Sequence, residues 1–200
     1  MKKNLFFLLF LSLVSLLQQQ LFAQGLTNQG NLQVHNGAGL SSSLPFTNSS
    51  TATLVNNGSI YLKADVTNHQ VAMATGAGTL YIDGSAAQQL TGSATLKTYH
   101  LVTDNSSGIT LNNDLSVGGN HNFVNGLISS SVTPNYLIYE SGATNSGATD
   151  SRHVTGWVKK IGSDDFTFPV GDNSFLRTIA ISSLSVTAEF NCHYYATTPN

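Results

Sequence analysis

Short apolar segments recur along the chain about every twenty residues, separated by glycine, asparagine and other turn residues. The segments that begin at Gly58, Gly78 and Thr98 read GSIYLKAD, GTLYIDGS and TYHLVTDN, each twenty residues after the one before. Their alignment gives two columns, Leu62 with Ile82 and Val102, and Tyr61 with Tyr81 and Leu101; a further set, Val71, Leu90 and Leu111, recurs at spacings of nineteen and twenty-one. Such columns are typical of stacked β-solenoid coils, because each coil buries its apolar face against the next. An antiparallel sandwich with short strands at similar turn spacing is the alternative.

Downstream the period weakens, but short apolar runs still predict strands, marked by Leu115, Val117, Phe123, Leu127, Ile128, Leu137 and Ile138. The segment SGATNSGATDS, residues 141–151, has low complexity and is predicted to be a loop or a domain boundary. We therefore predict solenoid repeats over 24–140, a linker over 141–151, and a β-sandwich-like unit over 152–200 that is incomplete.

The segment GWVKKIGSDDFTFPVGDN, residues 156–173, contains the only tryptophan and the densest group of charges. Alternation over 154–161, turn residues at 162–165 and a period of two over 166–170 predict a hairpin, with Lys159 and Lys160 at a solvated strand end. Asp164, Asp165 and Asp172 are oxygen ligands that calcium could use. Their spacing lacks the alternating ligands and closing glutamate of a calcium loop, so roles in turns are favoured.

Residues 1–23 are organised like a secretory signal peptide. Lys2 and Lys3 precede an apolar run from Leu5 to Leu17, which is short for a membrane span. Cleavage after Ala23 would leave Gln24 as the first residue, with no cysteine behind it for a lipid anchor. We expect an exported chain with no membrane span after signal removal, secreted or held on the outer cell surface.

The composition favours β-structure and disfavours a nucleic-acid partner. Serine, threonine, asparagine and glycine supply most of the polar residues, and they suit strands and turns better than helix interiors. Without the two signal lysines, six Lys and Arg stand against ten Asp and Glu, so the mature charge is 6 − 10 = −4. This mild acidity, without a basic patch, is opposite to what nucleic acid attracts.

The sequence shows no catalytic or metal-binding pattern, so we predict no catalytic residue, metal or cofactor. The six histidines are scattered without His-x-x-x-His spacing, and exposed loop positions are the default expectation for His35, His69, His121 and His153. Three aspartates, Asp65, Asp83 and Asp104, follow apolar strands but fall in different columns, with Asp83 in that of Lys63, so turn roles are favoured.

Cys192 has no partner for an intramolecular disulfide, because it is the only cysteine in the chain. A buried thiol on a strand is favoured. A reactive or intermolecular thiol, or a partner beyond residue 200, is the alternative.

Tyr61 and Tyr81 are the candidate binding residues. If Ile60 and Leu62 point inward, the two tyrosines point outward in one column, where exposed rings could bind a carbohydrate. The alternative is a tyrosine ladder that only stabilises the sheet.

Two motifs carry a family resemblance. Gly156-x-Val158-x-Lys160-x-Gly162, followed by Phe166-x-Phe168-Pro169-Val170-Gly171-Asp172, resembles a segment of large secreted and cell-surface proteins of Bacteroidota-type bacteria. Residues 84–117 are similar to their β-helical repeats, with matches at Gly84, Gln88, Gly92, Gly108 and Leu111.

The resemblance implies export, a right-handed parallel β-helix, and display on or release from the cell surface. Such proteins often end in a sorting domain read by the type IX secretion system. None is visible in this sequence, which predicts either an N-terminal fragment or another export route. The resemblance supplies no catalytic residues.

Together these observations predict an all-β protein, a right-handed parallel β-helix followed by the start of a β-sandwich-like unit. The predicted function is structural or adhesin-like, without catalysis, and the expected partners are surface glycans or other cell-surface proteins. A polysaccharide lyase or glycoside hydrolase, or a carbohydrate-binding module, is the alternative, because parallel β-helices also host such sites.

Overall fold

A computed structural model of the chain describes residues 25–130 and 134–196. The predicted signal peptide lies outside these residues. The described residues form strands β1 (Leu26–Asn28), β2 (Asn31–Val34), β3 (Gly39–Ser42), β4 (Phe46–Asn48), β5 (Thr53–Asn56), β6 (Ser59–Leu62), β7 (Val66–Asn68), β8 (Thr79–Ile82), β9 (Gln88–Gly92), β10 (Leu96–Thr98), β11 (His100–Asp104), β12 (Ile109–Leu111), β13 (Leu115–Val117), β14 (Asn120–Asn125), β15 (Ile128–Ser130), β16 (Tyr136–Tyr139), β17 (Thr144–Ser146), β18 (Trp157–Gly162), β19 (Phe166–Phe168), β20 (Ile179–Ile181) and β21 (Ala188–Cys192).

The strands stack in parallel, one coil above the next, on three sides of a common core. The first side is the sheet β1-β4-β7-β9-β12-β15, and the second is β3-β6-β8-β11-β14-β17. The third side consists of the pair β2-β5 and of the sheet β10-β13-β16-β18-β21, whose last pair is antiparallel. The predicted all-β fold of stacked parallel coils is therefore confirmed.

The register confirms the predicted twenty-residue period for the first pair of coils and corrects it at the next. Tyr61 pairs with Tyr81 and Leu62 with Ile82, as predicted. Val102, however, pairs with Tyr81, because this coil is one residue longer than the alignment assumed. Strand alternation makes such a one-residue shift exchange the inward and outward positions.

The core runs along the axis of the stack and is built from the inward residue of each strand. On the second side Ile60, Leu80 and Leu101 lie above one another and are at most 5% exposed. The outward residues between them are half-buried or exposed. One coil alone could not bury these side chains, so the stacking of coils provides most of the apolar burial.

The third side is interrupted at residues 69–78. No strand forms there, and side chains accept hydrogen bonds from the neighbouring strands in place of a backbone. Oε1 of Gln70 accepts one from the backbone N of Leu54 (2.9 Å), and Sδ of Met73 accepts one from the backbone N of Lys97 (3.4 Å). Met73 points into the core, whereas Val71 is 80% exposed. The predicted column of Val71, Leu90 and Leu111 is therefore wrong for Val71, since Leu90 pairs with Val66.

The segment 156–173 does not form the predicted hairpin. β18 pairs in parallel with β16 and continues the third side, and β19 pairs with β20 instead. The turn residues after β18 thus form a corner of the solenoid. Such a corner and a hairpin turn have the same local composition, so the sequence does not distinguish them. The segment predicted to be a linker contains β17, which extends the second side. The division into units at 141–151 stays a prediction.

Candidate functional site

Tyr61 and Tyr81 form a stacked pair on the outside of the second side. Their ring centroids are 4.3 Å apart and their planes differ by 13°. Ile60 and Leu62, on either side of Tyr61, are each 2% exposed, so the tyrosines lie on the opposite face of their strands, as predicted. The pair ends there, because the register places Ser41 beside Tyr61 and Val102 beside Tyr81.

A shallow open groove of about 440 Å³ begins at Tyr61 and runs over the stacked corners before β3, β6 and β8. Residues that line it include Asn36, Gly37, Asn57, Gly58 and Thr79, none of them charged. Asn57 holds the groove wall together, because its Oδ1 accepts a hydrogen bond from the backbone N of Ala77 (3.0 Å). Polar groups beside an aromatic face match the two sides of a sugar ring, its hydroxyls and its C–H surface.

Glycine is required under the groove because adjacent corners are in close contact. A Cβ on Gly58 would overlap the carbonyl oxygen of Ala38, and a Cβ on Gly78 would overlap that of Gly58. Larger residues at these corners would force the coils apart. The glycines that open the repeats GSIYLKAD and GTLYIDGS therefore serve the stacking of the coils.

A buried ladder of asparagines follows the first side. Asn28 Nδ2 donates to Asn48 Oδ1 at 2.9 Å, and Asn48 Nδ2 donates to Asn68 Oδ1 at 2.9 Å. Asn68 ends the ladder by donating to the backbone oxygens of Ala94 and Thr95. Sequence reasoning missed this ladder, although its signal, the triplets LTN, FTN and VTN at spacings of twenty residues, is printed in the sequence.

Gln88, from the motif that resembles bacterial β-helical repeats, joins successive corners inside the core. Its Nε2 donates to the backbone oxygens of Leu62 (3.0 Å) and Ala64 (2.8 Å), and its Oε1 accepts from the backbone N of Gly84 (2.8 Å). Asn105 of the next coil donates to the same Oε1. The side chain is 1% exposed, so its role is structural.

His121 and Tyr139 are fully buried and hydrogen-bonded to one another. His121 Nδ1 lies 2.7 Å from Tyr139 Oη, and His121 Nε2 lies 3.0 Å from Thr103 Oγ1. Burial lowers the pKa of His121 to about 3 and raises that of Tyr139, since the core solvates neither charge. Both side chains are neutral near pH 7 and are closed off from a substrate.

Two sequence-based expectations about exposed polar residues are wrong. His121 and His153 are 0% exposed, and His153 lies between the backbone oxygens of Thr149 (2.9 Å) and Asp172 (2.7 Å). Lys160 is likewise 0% exposed. Alternation along β18 turns Lys160 inward and leaves Lys159 outside, an orientation that the hairpin prediction did not consider.

Lys160 is stabilised by oxygen atoms at the corners after β16 and after β18. Its Nζ donates to the backbone oxygen of Glu140 at 2.7 Å and lies 3.3 Å from Oδ2 of Asp164. The backbone N of Gly142 also donates to Asp164 Oδ2, and these contacts lower the pKa of that carboxyl, the Gly142 bond most strongly. Lys160 and Asp164 thus fasten one corner to the next.

Three further aspartates contact groups in their own turn or on a neighbouring segment. Asp172 accepts from the backbone N of Ser174 (2.8 Å) and Phe175 (2.7 Å), which lowers its pKa, and Asp165 accepts from the backbone N of Ser183 (2.9 Å). Lys63 and Asp83, placed in one column by the sequence, form an ion pair of 2.7 Å. Within residues 25–130 and 134–196 there is no group of three or more His, Cys, Asp or Glu that could hold a metal ion.

Aromatic side chains also gather outside β18, around Trp157. Its indole ring lies 5.0 Å from the ring of His193 and 6.3 Å from that of Tyr195, centroid to centroid. These neighbours cover the tryptophan with rings of the same chain. Cys192, on β21, is half-buried, and partial burial raises the pKa of its thiol.

The geometry defines this chain as a parallel β-solenoid protein with a stacked tyrosine pair beside a polar groove. Comparison with protein-family models, with curated proteins and with solved structures gives no match to the chain. The described part of the chain contains no helix with the length and apolar character that crossing a membrane requires.

Proposed function

We propose that this protein is an exported solenoid that acts on the cell surface or outside the cell as a structural or adhesin-like protein without catalytic activity. The observation that carries the proposal is that the polar side chains of the core are bonded within the protein, whereas the outer groove is open to a ligand. The ionisable side chains of the core, His121, Tyr139, His153 and Lys160, are all engaged in hydrogen bonds with the protein itself. The outer surface of the described residues carries the stacked tyrosine pair and the uncharged groove beside it.

Surface glycans are the proposed ligand, bound at the Tyr61–Tyr81 pair and the adjoining groove. Stacked rings offer an aromatic surface for the apolar face of a sugar, and the neutral groove offers backbone and asparagine groups for its hydroxyls. The absence of charge along the groove favours neutral over anionic polysaccharides. The groove is open, which suits binding along a chain of sugars.

The test is to measure binding and reducing-end release on a panel of polysaccharides. We expect saturable binding without products, weakened at least tenfold by Tyr61→Ala and by Tyr81→Ala. Tyr99→Ala is the matched control, because Tyr99 is also on the surface, 39% exposed, but belongs neither to the stacked tyrosine pair nor to the groove. Product release abolished by Asp83→Asn or Asp104→Asn would contradict the proposal and favour the enzyme.

A further inference from the structure

The N-terminal end of the solenoid is an open edge of three strands. β1, β2 and β3 each pair on one side only, with β4, β5 and β6 respectively. On the other side, no strand of the described chain pairs with them, so their backbone donors and acceptors are available to another chain. The end therefore presents three short edges around one core.

The core is also open at this end. Leu26, Leu32 and Leu40 point inward, one from each side, and remain half-buried. Their register partners in the next coil, Phe46, Leu54 and Ile60, are only 1 to 3% exposed. Among the described residues, the three leucines thus lack the covering coil that buries their register partners.

No Asp, Glu, Lys or Arg side chain at this end opposes association. Between Gln24 and Leu62 there is no Asp, Glu, Lys or Arg. Natural sheets protect an open edge with charges, with proline or with a covering segment. The edge strands contain neither a charge nor a proline, and Pro45 lies beyond β3.

The opposite end of the stack has a different structure. Val154 continues the first side past Ile128 and is followed by Val170, while β21 lies antiparallel on β18. β20 lies antiparallel on β19. Head-to-tail stacking of two copies would therefore place the regular N-terminal coil on an irregular antiparallel layer. Two N-terminal ends, by contrast, present the same three edge strands and the same leucines to each other.

We propose that the N-terminal end binds the same end of a second copy of this chain, which gives a closed head-to-head dimer. The inference rests on the proposed export, in which removal of residues 1–23 leaves this end free. The two-fold rotation that turns one copy over reverses the direction of its edge strands, so each edge strand meets an antiparallel neighbour and the leucines of both copies are buried. Such an interface uses the same surface twice and stops at two copies.

The experiment measures the exported protein in two independent ways. Intact mass reports whether residues 1–23 have been removed, and sedimentation velocity reports the molecular mass in solution. We expect a dimer at protein concentrations on the order of 10 μM, since about micromolar affinity is the weak end of the range that specific protein interfaces reach. A monomer contradicts the dimer, whereas retention of residues 1–23 contradicts the proposed export, so the two failures are distinguishable.

Charge placed on the edge tests where the copies meet. Thr27→Asp, Gln33→Glu and Ser41→Asp change one exposed outward residue on each edge strand, so the coil keeps its core. The combined variant should dimerise at least about tenfold more weakly, because like charges face each other across the symmetry axis. About 1 M salt should restore much of the affinity by screening them.

The matched control carries the same three added charges away from the end, as Ser85→Asp, Gln89→Glu and Ser106→Asp on exposed positions. It should dimerise like the unchanged protein, and thermal midpoints of both variants should show that each is folded. A dimer that survives the edge charges, or one that the control charges weaken equally, would overturn the proposal.

Discussion

Asn48 donates from its side-chain amide to Oδ1 of Asn68, twenty residues later, across 2.9 Å inside the solenoid. Both side chains are 0% exposed. A buried amide stabilises the fold only when its donors and acceptors are paired, and here each coil pairs those of its neighbour. The ladder links the coils by polar contacts that would be lost if one coil slipped by a residue.

Asn48→Ala should lower the free energy of unfolding by about 2 kcal/mol or more, because it removes three buried hydrogen bonds, those with Asn28, Asn68 and Gln70. Urea unfolding followed by circular dichroism measures the change. Thr47→Ala, on the outward face of the same strand, is the control and should change the stability by about 0.5 kcal/mol or less. Equal effects of the two variants would contradict a structural role of the ladder.

Gly92→Ala should lower the free energy of unfolding by about 2 kcal/mol or more, since Gly92 has a φ of 131° and the new Cβ would overlap the carbonyl oxygen of Asn68. Gly30→Ala is the control, because nothing lies within 4 Å of a Cβ at that position. Thermal unfolding of both variants checks the prediction. A midpoint for Gly92→Ala that matches the control would show that the coil can shift to accept a side chain.

The stability of the protein should fall below pH 6.5 because of His121. The pKa of His121 is lowered to about 3 in the folded chain, so between pH 6.5 and 3 the unfolded chain binds a proton that the folded chain does not. Each pH unit by which the pH falls within this window removes at most about 1.4 kcal/mol of unfolding free energy. Above pH 6.5 the full stabilisation from the neutral, buried His121 is present.

Comparing unfolding curves at pH 7 and pH 5 isolates this contribution. His121→Gln, which can still hydrogen-bond Tyr139 and Thr103, should lose less stability between the two values than the unchanged chain. His35→Gln, at an exposed position, should behave like the unchanged chain. An identical pH dependence in all three proteins would rule out His121 as the source.

Lys160→Ala should lower the free energy of unfolding by about 2 to 4 kcal/mol, because it removes a fully buried side chain together with its hydrogen bond to the carbonyl oxygen of Glu140. The neighbouring Lys159→Ala is the control. Lys159 lies on the outer face, where its ion pair with Glu189 (3.3 Å) is worth less than about 1 kcal/mol. Guanidinium unfolding of the two variants should separate them clearly, and similar losses would contradict the inward role of Lys160.

The periodic pattern was sufficient to predict the stacked coils and the column of Tyr61 and Tyr81. It failed where coil length changes, at Val102 and at Val71, because a spacing that varies between nineteen and twenty-four residues can be aligned in more than one register. It also failed for His121, His153 and Lys160. Their polar character predicts exposure, and only the partners that other coils bring to them make their burial favourable.

The sequence by itself determined the β-architecture, since apolar residues at a near-constant spacing, with glycine at the corners, can be buried together only by stacking. The tertiary structure alone decided which face of each strand turns inward after residue 100 and which polar groups meet in the core. It also decided that β18 joins the solenoid and does not form a hairpin. The physical reason is that a hydrogen bond or a ring contact between residues twenty apart depends on the rotation of one coil over the next. A difference of one residue in coil length changes that rotation without changing the local pattern.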